Sequence, residues 1–341
     1  MKNKLLIIVV LLLAITNGCQ QNKKNSHHKY YLEGNALGTT YHITAISNDS
    51  NTNIVNKNID SVITAINNSL STYQDNSLIS RINKGQVIKV DQQFKDVYKA
   101  AQEIYIETGG KFDPSIGILV NAWGFGPGKK IPNIEKDSSI VDSLKKYVGY
   151  NLIIIDEHGF LEKKYPQSYI DYNSIAKGYA IDRLGKMLSD KGFNNYLVEV
   201  GGEVLAKGKN IIKNKNWLVA IDNPNRSEKI KFITKITLNN QAMATSGNYR
   251  KFYIDKKTGQ KYVHTIDGKT GYPIQSNLLS ASVIANNCTM ADGYATAFMI
   301  LGLEKTKKFL KKHSELQAVL IYSNKNGKIN IYHSDGINLF D

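Results

Sequence analysis

The sequence predicts an α+β fold with largely antiparallel sheets flanked by helices. Two observations favour this class: segments with helical spacing and segments with strand alternation are mixed along the chain, and they follow no regular strand–helix–strand repeat. The 341-residue chain shows no internal repeat and no low-complexity linker that would force a division. We therefore expect one compact domain over residues 30–341, although its length would also allow two closely joined domains.

The first half of this domain is predicted to begin with strands and to continue with helices. Residues 30–46 alternate in polarity around a glycine turn, whereas residues 53–69 and 93–108 place apolar side chains at helical spacing. The pair Gly109-Gly110 should end the second of these helices. Residues 112–130 contain four glycines and two prolines, so we expect a long ordered loop there.

The second half is predicted to mix helices and strands. Residues 139–147 and 174–191 have helical spacing, and residues 152–155 and 160–163 should form a hairpin around a glycine turn. A further helix is expected from Thr289 to Leu301. Additional strands are predicted at residues 196–200, 204–207, 217–222, 231–238, 279–284, 318–322 and 329–332.

Residues 1–18 are predicted to be a targeting segment and not part of the fold. Lys2 and Lys4 precede the apolar stretch Leu5–Ile15, which is shorter than the roughly 20 residues that a membrane-spanning helix needs. The segment is similar to a bacterial lipoprotein signal, with cleavage before Cys19 and a lipid on the Cys19 thiol. An ordinary secretory signal with an incidental cysteine is the alternative. Residues 19–29 would then tether the domain to a membrane of the cell envelope, facing the periplasm.

Charge and cysteine content narrow the range of partners. The formal charge of +15 is spread thinly along the chain, which favours anionic lipid headgroups or a phosphorylated small molecule. No dense basic stripe is interleaved with aromatic residues, and the chain is predicted to be exported, so we do not expect a nucleic-acid partner. With only Cys19 and Cys288, an acylated chain has no internal disulfide and must rely on its core.

The segment Thr289–Ala297 contains a candidate metal site. On a helix, Asp292 and Thr296 are one turn apart and share a face, where a carboxylate and a hydroxyl offer two oxygen ligands to a hard cation such as Mg²⁺. The surrounding residues are small or apolar, and a carboxylate in such surroundings usually needs a partner or a metal. The alternative is an Asp292 that caps the helix, with Thr296 simply packed.

A second candidate segment, Asp171–Tyr179, opens a predicted helix. The N-terminus of a helix favours a phosphate or a metal–phosphate pair, and Ser174 stands at that position. Lys177 follows three residues later and could face the same anion. A capped helix with a solvated lysine explains the pattern equally well.

Two further segments are rich in glycine and polar residues. The pair Gly201-Gly202 interrupts a strand pattern, which indicates close approach of a ligand or, as the favoured interpretation, a β-bulge. His264 precedes a turn segment that ends at Pro273, and a neutral imidazole can accept a proton near pH 7. A packed or surface histidine is the alternative. The chain contains no nucleophile elbow, zinc-ligand spacing or Walker loop.

Seven segments taken together carry a resemblance that none carries alone. They resemble the FAD:protein FMN transferase family, often called ApbE, over nearly the whole exported chain, and the lipoprotein signal also suits that family. The resemblance implies that FAD is the substrate, that its FMN half passes to a threonine or serine hydroxyl of a target protein with release of AMP, and that Mg²⁺ is required. The implied acceptors are flavoprotein subunits of membrane redox complexes. The seven segments, in order, are residues 37–41, 70–73, 112–115, 123–126, 171–178, 264–273 and 292–296.

The resemblance also implies roles for particular residues. Ser174, Asp292 and Thr296 match the metal ligands of the family, and His264 matches a proposed base for the acceptor hydroxyl, so that His264 and Asp292 are the expected catalytic residues. Leu37 stands where methionine is frequent and Ser174 where threonine is frequent, and both changes keep the chemistry of the position. The positions that match FAD contacts are Leu37, Tyr73, Trp123, Gly124, Phe125, Asp171, Lys177 and Ile266, with Tyr73 and Trp123 expected to face the isoalloxazine ring.

The sequence is also compatible with two other functions. In a Mg²⁺-dependent FAD pyrophosphatase, water would replace the acceptor hydroxyl at the same site and give FMN and AMP. In a non-catalytic lipoprotein, the domain would bind flavin or a peptide without turnover.

Overall fold

An eight-stranded antiparallel sheet forms the centre of the molecule. It is seen in a computed structural model that describes residues 27–47, 54, 56–224, 231–248, 252–254, 259 and 261–340. The predicted leader, Cys19 and the tether up to residue 26 lie outside these residues. The sheet has the order β1-β2-β5-β6-β9-β12-β13-β14, and every pairing is antiparallel. The strands are β1 His28–Ala36, β2 Thr39–Ser47, β5 Asn195–Val200, β6 Glu203–Lys207, β9 Ala242–Gly247, β12 Leu278–Ala285, β13 Gln317–Ser323 and β14 Ile329–His333.

Helices cover one face of this sheet. Their apolar sides form a large core with the sheet, in which Phe94, Leu184 and Phe298 have no exposed surface. Such burial is the main favourable term in folding, at about 25 cal/mol per Å² of apolar surface removed from water. The helices of the chain are α1 Asn56–Leu70, α2 Leu78–Asn83, α3 Gln92–Glu107, α4 Gly117–Ala122, α5 Ser138–Lys145, α6 Ala176–Asp190, α7 Cys288–Leu301 and α8 Leu303–Leu310. Of these, α4 and α5 do not join the core on the sheet but pack in a separate apolar cluster around Trp123.

A two-stranded sheet covers part of the opposite face. Strands β7 Trp217–Asp222 and β8 Phe232–Leu238 pair antiparallel and pack Val219 and Ile236 against Ile321 of the main sheet. Two small hairpins lie elsewhere: β3 Ile153–Ile155 with β4 Leu161–Lys163, and β10 Phe252–Ile254 with β11 Lys261–Val263. The main sheet therefore has an apolar core on each face.

The turn between β1 and β2 contains an unusual leucine. Ala36 pairs with Thr39, so Leu37 and Gly38 form a two-residue turn with φ values of 52° and 75°. Such turns need positive φ at both positions, which glycine adopts freely and a residue such as leucine seldom does. Strain of this kind tends to be kept where a ligand or a function requires it.

The α+β prediction is confirmed, and most predicted elements lie within a few residues of the observed ones. Two local predictions are wrong. Residues 112–130 are not a loop throughout, because α4 lies among them. Gly201-Gly202 is not a bulge but the turn that joins β5 to β6, with Val200 paired to Glu203.

The structure also bears on membrane crossing and on the cysteines. Among the described residues, no helix has both the length and the apolar character that crossing a bilayer requires. Cys288 is a free thiol buried at the start of α7, so it takes no part in a disulfide.

Candidate active site

A cavity of about 340 Å³ brings together polar residues from widely separated parts of the chain. Its wall is formed by the segment that leads into α6, by one face of α7, by the end of β9 and by the residues that follow β11. The polar side chains on this wall include Tyr73, Asp113, Asp171, Ser174, Lys177, Glu203, Ser246, His264, Asp292 and Thr296.

Asp292 reaches this cavity from the interior of α7 and not from its first position. The cap of α7 is Asn287, whose side-chain oxygen accepts the backbone N–H of Met290 at 2.9 Å. The alternative interpretation of Asp292 as the helix cap is therefore wrong. Asp182 of α6 fixes the start of α7 further, since its carboxylate accepts the N–H groups of Cys288 and Thr289, each at 2.8 Å.

One oxygen of Asp292 is already satisfied by the protein. Its Oδ2 accepts the backbone N–H of Gly178 at 2.9 Å. Helices α6 and α7 are so close here that a Cβ on Gly178 would lie 2.2 Å from the Cys288 carbonyl oxygen. Burial raises the pKa of the Asp292 carboxyl, because a charged form is disfavoured away from water.

The second oxygen of Asp292 is available to a ligand. Within the described residues, no hydrogen bond to Oδ1 is present, and Asp292 lines the cavity although it is only 5% exposed. The Thr296 hydroxyl lies 3.1 Å from the Ser246 hydroxyl, and Ser174 lines the same cavity. One carboxylate with neutral oxygens suits Mg²⁺, which usually takes one or two protein carboxylates and completes its shell with waters and substrate phosphates.

This oxygen set is not an all-protein metal cage. No group of three or more histidine, cysteine, aspartate or glutamate side chains that could hold a metal occurs in the described part of the chain. A cation at Asp292 would therefore complete its shell with hydroxyl oxygens, with waters and, when a substrate is bound, with substrate phosphates.

Lys177 supplies the positive charge of the cavity. Its Nζ lies 2.7 Å from Oε2 of Glu203, and the Glu203 side chain is only 6% exposed. Burial disfavours the charge on Lys177, but Glu203 and Asp292 outweigh that effect and raise the pKa of the ammonium. For Glu203, burial raises the pKa to about 7 against the opposing effect of Lys177. Above about pH 7, where Glu203 is ionised, lysine and glutamate therefore form a charged pair inside the cavity wall.

His264 lines the cavity next to an ordered turn. It directly follows β11, and its ring lies 6.5 Å from the Phe125 ring in an edge-on arrangement. The residues after it are held by an ion pair of 2.6 Å between Lys111 and Asp267. Such anchoring keeps the imidazole at the cavity wall.

A second cavity of about 620 Å³ adjoins the first. The two share Tyr73, Asn173 and Lys177 as lining residues. Leu37 and Gly201 line the second cavity and not the first. The strained Leu37 turn therefore lies at a ligand-sized space.

Most residues expected from the sequence to form a site lie on these two cavities. Nine of them line the first cavity and Leu37 lines the second. Trp123 and Gly124 line neither: the Trp123 indole is fully buried, and its Nε1–H donates to the Gly271 carbonyl oxygen at 2.9 Å. Trp123 thus supports the wall from behind, which corrects the expectation that it faces a ring of the ligand. The nine are Tyr73, Phe125, Asp171, Ser174, Lys177, His264, Ile266, Asp292 and Thr296.

Comparison with known proteins assigns the family. The ApbE family model matches residues 37–320. The chain belongs to the ApbE family. The FAD:protein FMN transferase of Haemophilus influenzae is 37% identical to it over 306 residues, which cover 87% of each chain. The Escherichia coli K12 protein of the same name is 32% identical over 288 residues, covering 82% of this chain and 81% of the relative.

Solved ApbE structures share the fold. The flavin transferase ApbE from Vibrio cholerae is similar with a TM-score of 0.81 at 30% identity, covering 91% of this chain and 98% of the other. The apo form of the Pseudomonas stutzeri flavinyl transferase ApbE gives a TM-score of 0.78 at 26% identity, covering 91% and 95%. As an ApbE-family member, this protein is an enzyme of the transferase class.

Some cavity residues of this ApbE-family protein were not anticipated. Glu203 was hidden because the glycine pair before it was interpreted as a bulge, whereas a two-residue turn places it at the start of β6. The run Thr245–Gly247 ends β9 at the cavity, and its small polar residues at a strand end are a signal that could have been used. Asp113 belongs to a recognised segment but was given no role, and burial raises its pKa to about 6.

Proposed function

We propose that this ApbE-family protein transfers the FMN half of FAD to a threonine or serine hydroxyl of a target flavoprotein, releases AMP and requires Mg²⁺. The observation that carries this proposal is a single cavity that holds a buried carboxylate, a lysine and a histidine. Phosphoryl transfer needs charge neutralisation and an in-line hydroxyl more than it needs a covalent enzyme group. The hydroxyl comes from the acceptor, while the carboxylate can hold a cation, the lysine adds positive charge and the histidine can take the hydroxyl proton.

The two adjoining cavities suit a dinucleotide. FAD consists of two ring systems joined through a diphosphate, and the cavities are joined at Tyr73, Asn173 and Lys177. We infer that the diphosphate lies at this junction, where the Lys177 ammonium and the backbone that leads into α6 provide positive potential. Tyr73 is 61% exposed and available for a ring to stack on.

Mg²⁺ would be held by Asp292 through its available oxygen, with Thr296 and Ser174 as the candidate neutral ligands. When bound, the cation would neutralise charge on the diphosphate and make AMP a better leaving group. The protein's own part is to keep Asp292 fixed, which the Gly178 N–H and the anchored start of α7 accomplish.

The transfer step can be written with the residues of the cavity. The acceptor hydroxyl oxygen forms a bond to the phosphorus of the FMN half, and the bond from that phosphorus to the bridging oxygen breaks, so that AMP leaves with the electron pair. His264 takes the hydroxyl proton as the acceptor approaches the cavity. Lys177 balances the charge that moves onto the AMP phosphate.

The partner and the location follow from the same proposal. We infer that the acceptor is a subunit of a membrane redox complex, and that a lipid on Cys19 anchors the enzyme to an envelope membrane with the domain facing the periplasm. The basic character of the chain suits an anionic membrane surface.

Co-expression with a candidate acceptor subunit tests the proposal. Mass spectrometry of the acceptor should show FMN on one threonine or serine, and no flavin when Asp292→Asn replaces the wild-type enzyme. If FAD is instead converted to free FMN and AMP while the acceptor stays unmodified, the protein is a pyrophosphatase and the transferase proposal is wrong.

A further inference from the structure

Lys177 has two carboxylates in its surroundings but is paired with only one of them. Its Nζ lies 2.7 Å from Oε2 of Glu203, and no ion pair joins Lys177 to Asp292 in the part of the chain that the structure describes. Asp292 is nevertheless close enough to raise the pKa of the lysine. The position of one ammonium therefore determines which carboxylate is neutralised.

The backbone next to Lys177 contacts Asp292 in the folded chain. The residue after it, Gly178, donates its backbone N–H to Oδ2 of Asp292, and a Cβ on Gly178 would lie 2.8 Å from the Asp292 Cβ. A flexible lysine side chain at this position could turn toward Asp292 as well as toward Glu203.

Glu203 is held in place by the sheet. Gly201 and Gly202 both have positive φ, at 61° and 106°, and form the turn that makes Glu203 the first residue of β6, paired with Val200. The Glu203 residue is 4% exposed, and its Oε2 has no well-aligned hydrogen-bond donor among the described residues. Its contact with Lys177 is thus an ion pair by distance and not a well-directed hydrogen bond.

Within the group formed by Asp292, Glu203 and Lys177, two carboxylates and one ammonium leave one net negative charge when both carboxyls are ionised. With Lys177 on Glu203, that charge remains on Asp292, whose Oδ1 accepts no hydrogen bond from the described residues. With Lys177 on Asp292, the charge would remain on Glu203, and a divalent cation would have to displace the ammonium from Asp292.

We propose that Glu203 is a positioning residue that holds Lys177 away from Asp292 and so keeps Asp292 open to the divalent cation. This inference rests on the proposed function, since it assumes that Asp292 binds a cation. Glu203 does not contact the cation itself. Its effect is exerted through Lys177, and the two residues should therefore act as one unit when cation binding is measured.

A double-mutant cycle on Mg²⁺ binding tests this inference. Calorimetric titration of Mg²⁺ without FAD, at pH 8 so that Glu203 is ionised, would compare the wild type with Glu203→Gln, Lys177→Met and the double variant. Glu203→Gln should weaken Mg²⁺ binding by about tenfold because Lys177 then competes for Asp292. Adding Lys177→Met to Glu203→Gln should raise the Mg²⁺ affinity again by about tenfold. In the wild-type background, Lys177→Met should change the Mg²⁺ affinity by less than about threefold.

The alternative is that Glu203 attracts the cation only through its charge. Lys177→Met would then have equal effects in both backgrounds, and that result would overturn the inference. Glu203→Asp is a second variant, because it keeps the charge but shortens the reach to Lys177. Weaker Mg²⁺ binding is expected for Glu203→Asp, and unchanged binding would contradict the proposal.

Controls separate this inference from the proposed function. Asp190→Asn removes an equal charge from the exposed Lys186–Asp190 pair of the same helix and should leave Mg²⁺ affinity unchanged. Thermal unfolding of each variant shows that it is folded. FMN transfer by the wild type is a separate measurement. If the wild type transfers FMN but the effects of Glu203→Gln and Lys177→Met on Mg²⁺ affinity are additive, only the role of Glu203 is overturned. A wild type that binds Mg²⁺ in neither the presence nor the absence of FAD overturns the cation site as well.

Discussion

At the scale of single residues, Asp292 shows how burial, together with a hydrogen bond to only one of its two oxygens, can prepare a carboxylate for a ligand. Leaving a buried charge without partners is costly, so proteins pair such groups or bind them to metals. Asp292 has one oxygen bonded to the Gly178 N–H and the other accessible from the cavity. The sequence pattern of a carboxylate and a hydroxyl one helical turn apart thus corresponds to two cavity-lining residues on α7.

Asp292→Asn is predicted to abolish Mg²⁺-dependent turnover while preserving the fold. The amide keeps an oxygen that can accept the Gly178 N–H, but it removes the charge that a divalent cation needs. A cation that stabilises the transition state by several kcal/mol corresponds to a loss of roughly 100-fold or more in turnover. Steady-state kinetics together with thermal unfolding check this, with Asp190→Asn as the surface control. Turnover near the wild-type level would show that Asp292 holds no essential cation.

Asp113 is predicted to make the stability of the protein depend on pH. Its pKa rises from 3.8 to about 6, with burial as the largest cause, so the folded protein holds this proton more tightly than the unfolded chain. The resulting stabilisation is fully present below the unfolded value and is lost as pH rises through about 6. Between about pH 5 and pH 7.5, the free energy of unfolding of the wild type should therefore fall by about 1 kcal/mol more than that of Asp113→Asn. Urea unfolding at both pH values measures this, and equal pH dependence of the two proteins would be the contrary result.

At the scale of elements, the contact between α6 and α7 sets the geometry of the site. Gly178 allows the helices to approach until its Cα lies against the Cys288 carbonyl, and Asp182 of α6 binds the first N–H groups of α7. Helix α6 therefore anchors the start of the helix that carries Asp292. This arrangement explains why Lys177, Gly178 and Asp292 meet although they are far apart in the sequence.

Gly178→Ala is predicted to disturb the site more than the same change elsewhere in α6. A Cβ at 178 would lie 2.2 Å from a backbone oxygen of α7, which cannot move without shifting the helix. Overpacking of this kind costs about 1–3 kcal/mol. Gly185→Ala is the matched control, because its Cβ would meet the end of the Leu205 side chain, which can rotate. The thermal unfolding midpoint and the Mg²⁺ affinity should both fall for Gly178→Ala. Smaller decreases for Gly178→Ala than for Gly185→Ala would contradict this account.

The sequence predicted long elements well and short ones poorly. Helices α1 and α3 have apolar residues at regular spacing over four turns, and their predicted bounds differ from the observed ones by a few residues. Strand β9 was missed because Ala242–Gly247 consists mostly of small residues with little alternation, and its place in the sheet comes from pairing with β6 and β12. Helix α4 was missed because its six residues lie in a glycine-rich segment.

The site was likewise predictable only in part. Residues that form short recognisable segments, such as Ser174, His264 and Asp292, could be named from the sequence and do line one cavity. The ion pair between Lys177 and Glu203 joins a helix to a strand, and no local pattern predicts such a pair. The buried position of Trp123 also depends on packing that local sequence does not specify.

At the scale of the whole molecule, the order of strands brings distant parts of the chain to one site. The β1–β2 turn supplies Leu37, the β5–β6 turn places Glu203 at the start of β6, and β9 ends at the cavity beside β12. The large antiparallel sheet thus acts as a frame on which α6 and α7 are mounted. The chain shares its fold with the solved ApbE structures over 91% of its length.

The proposed lipid anchor predicts where the whole protein is located in the cell. Cys19→Ala should move the protein from the membrane fraction to the soluble fraction, because the thiol that carries the lipid is lost. Cys288→Ala is the control, since Cys288 is buried and should not affect membrane association. Fractionation with immunoblotting measures both variants, and a Cys19→Ala protein that stays in the membrane fraction would contradict the anchor.

The central claim is that FAD is divided in this cavity so that its FMN half becomes bound to a protein. Its most direct test is to measure, in one reaction with purified enzyme, FAD, Mg²⁺ and acceptor, both the AMP released and the flavin covalently bound to the acceptor. The account predicts one bound flavin for each AMP, no AMP without Mg²⁺ and neither product with Asp292→Asn. AMP released together with free FMN, and an acceptor without flavin, would contradict it.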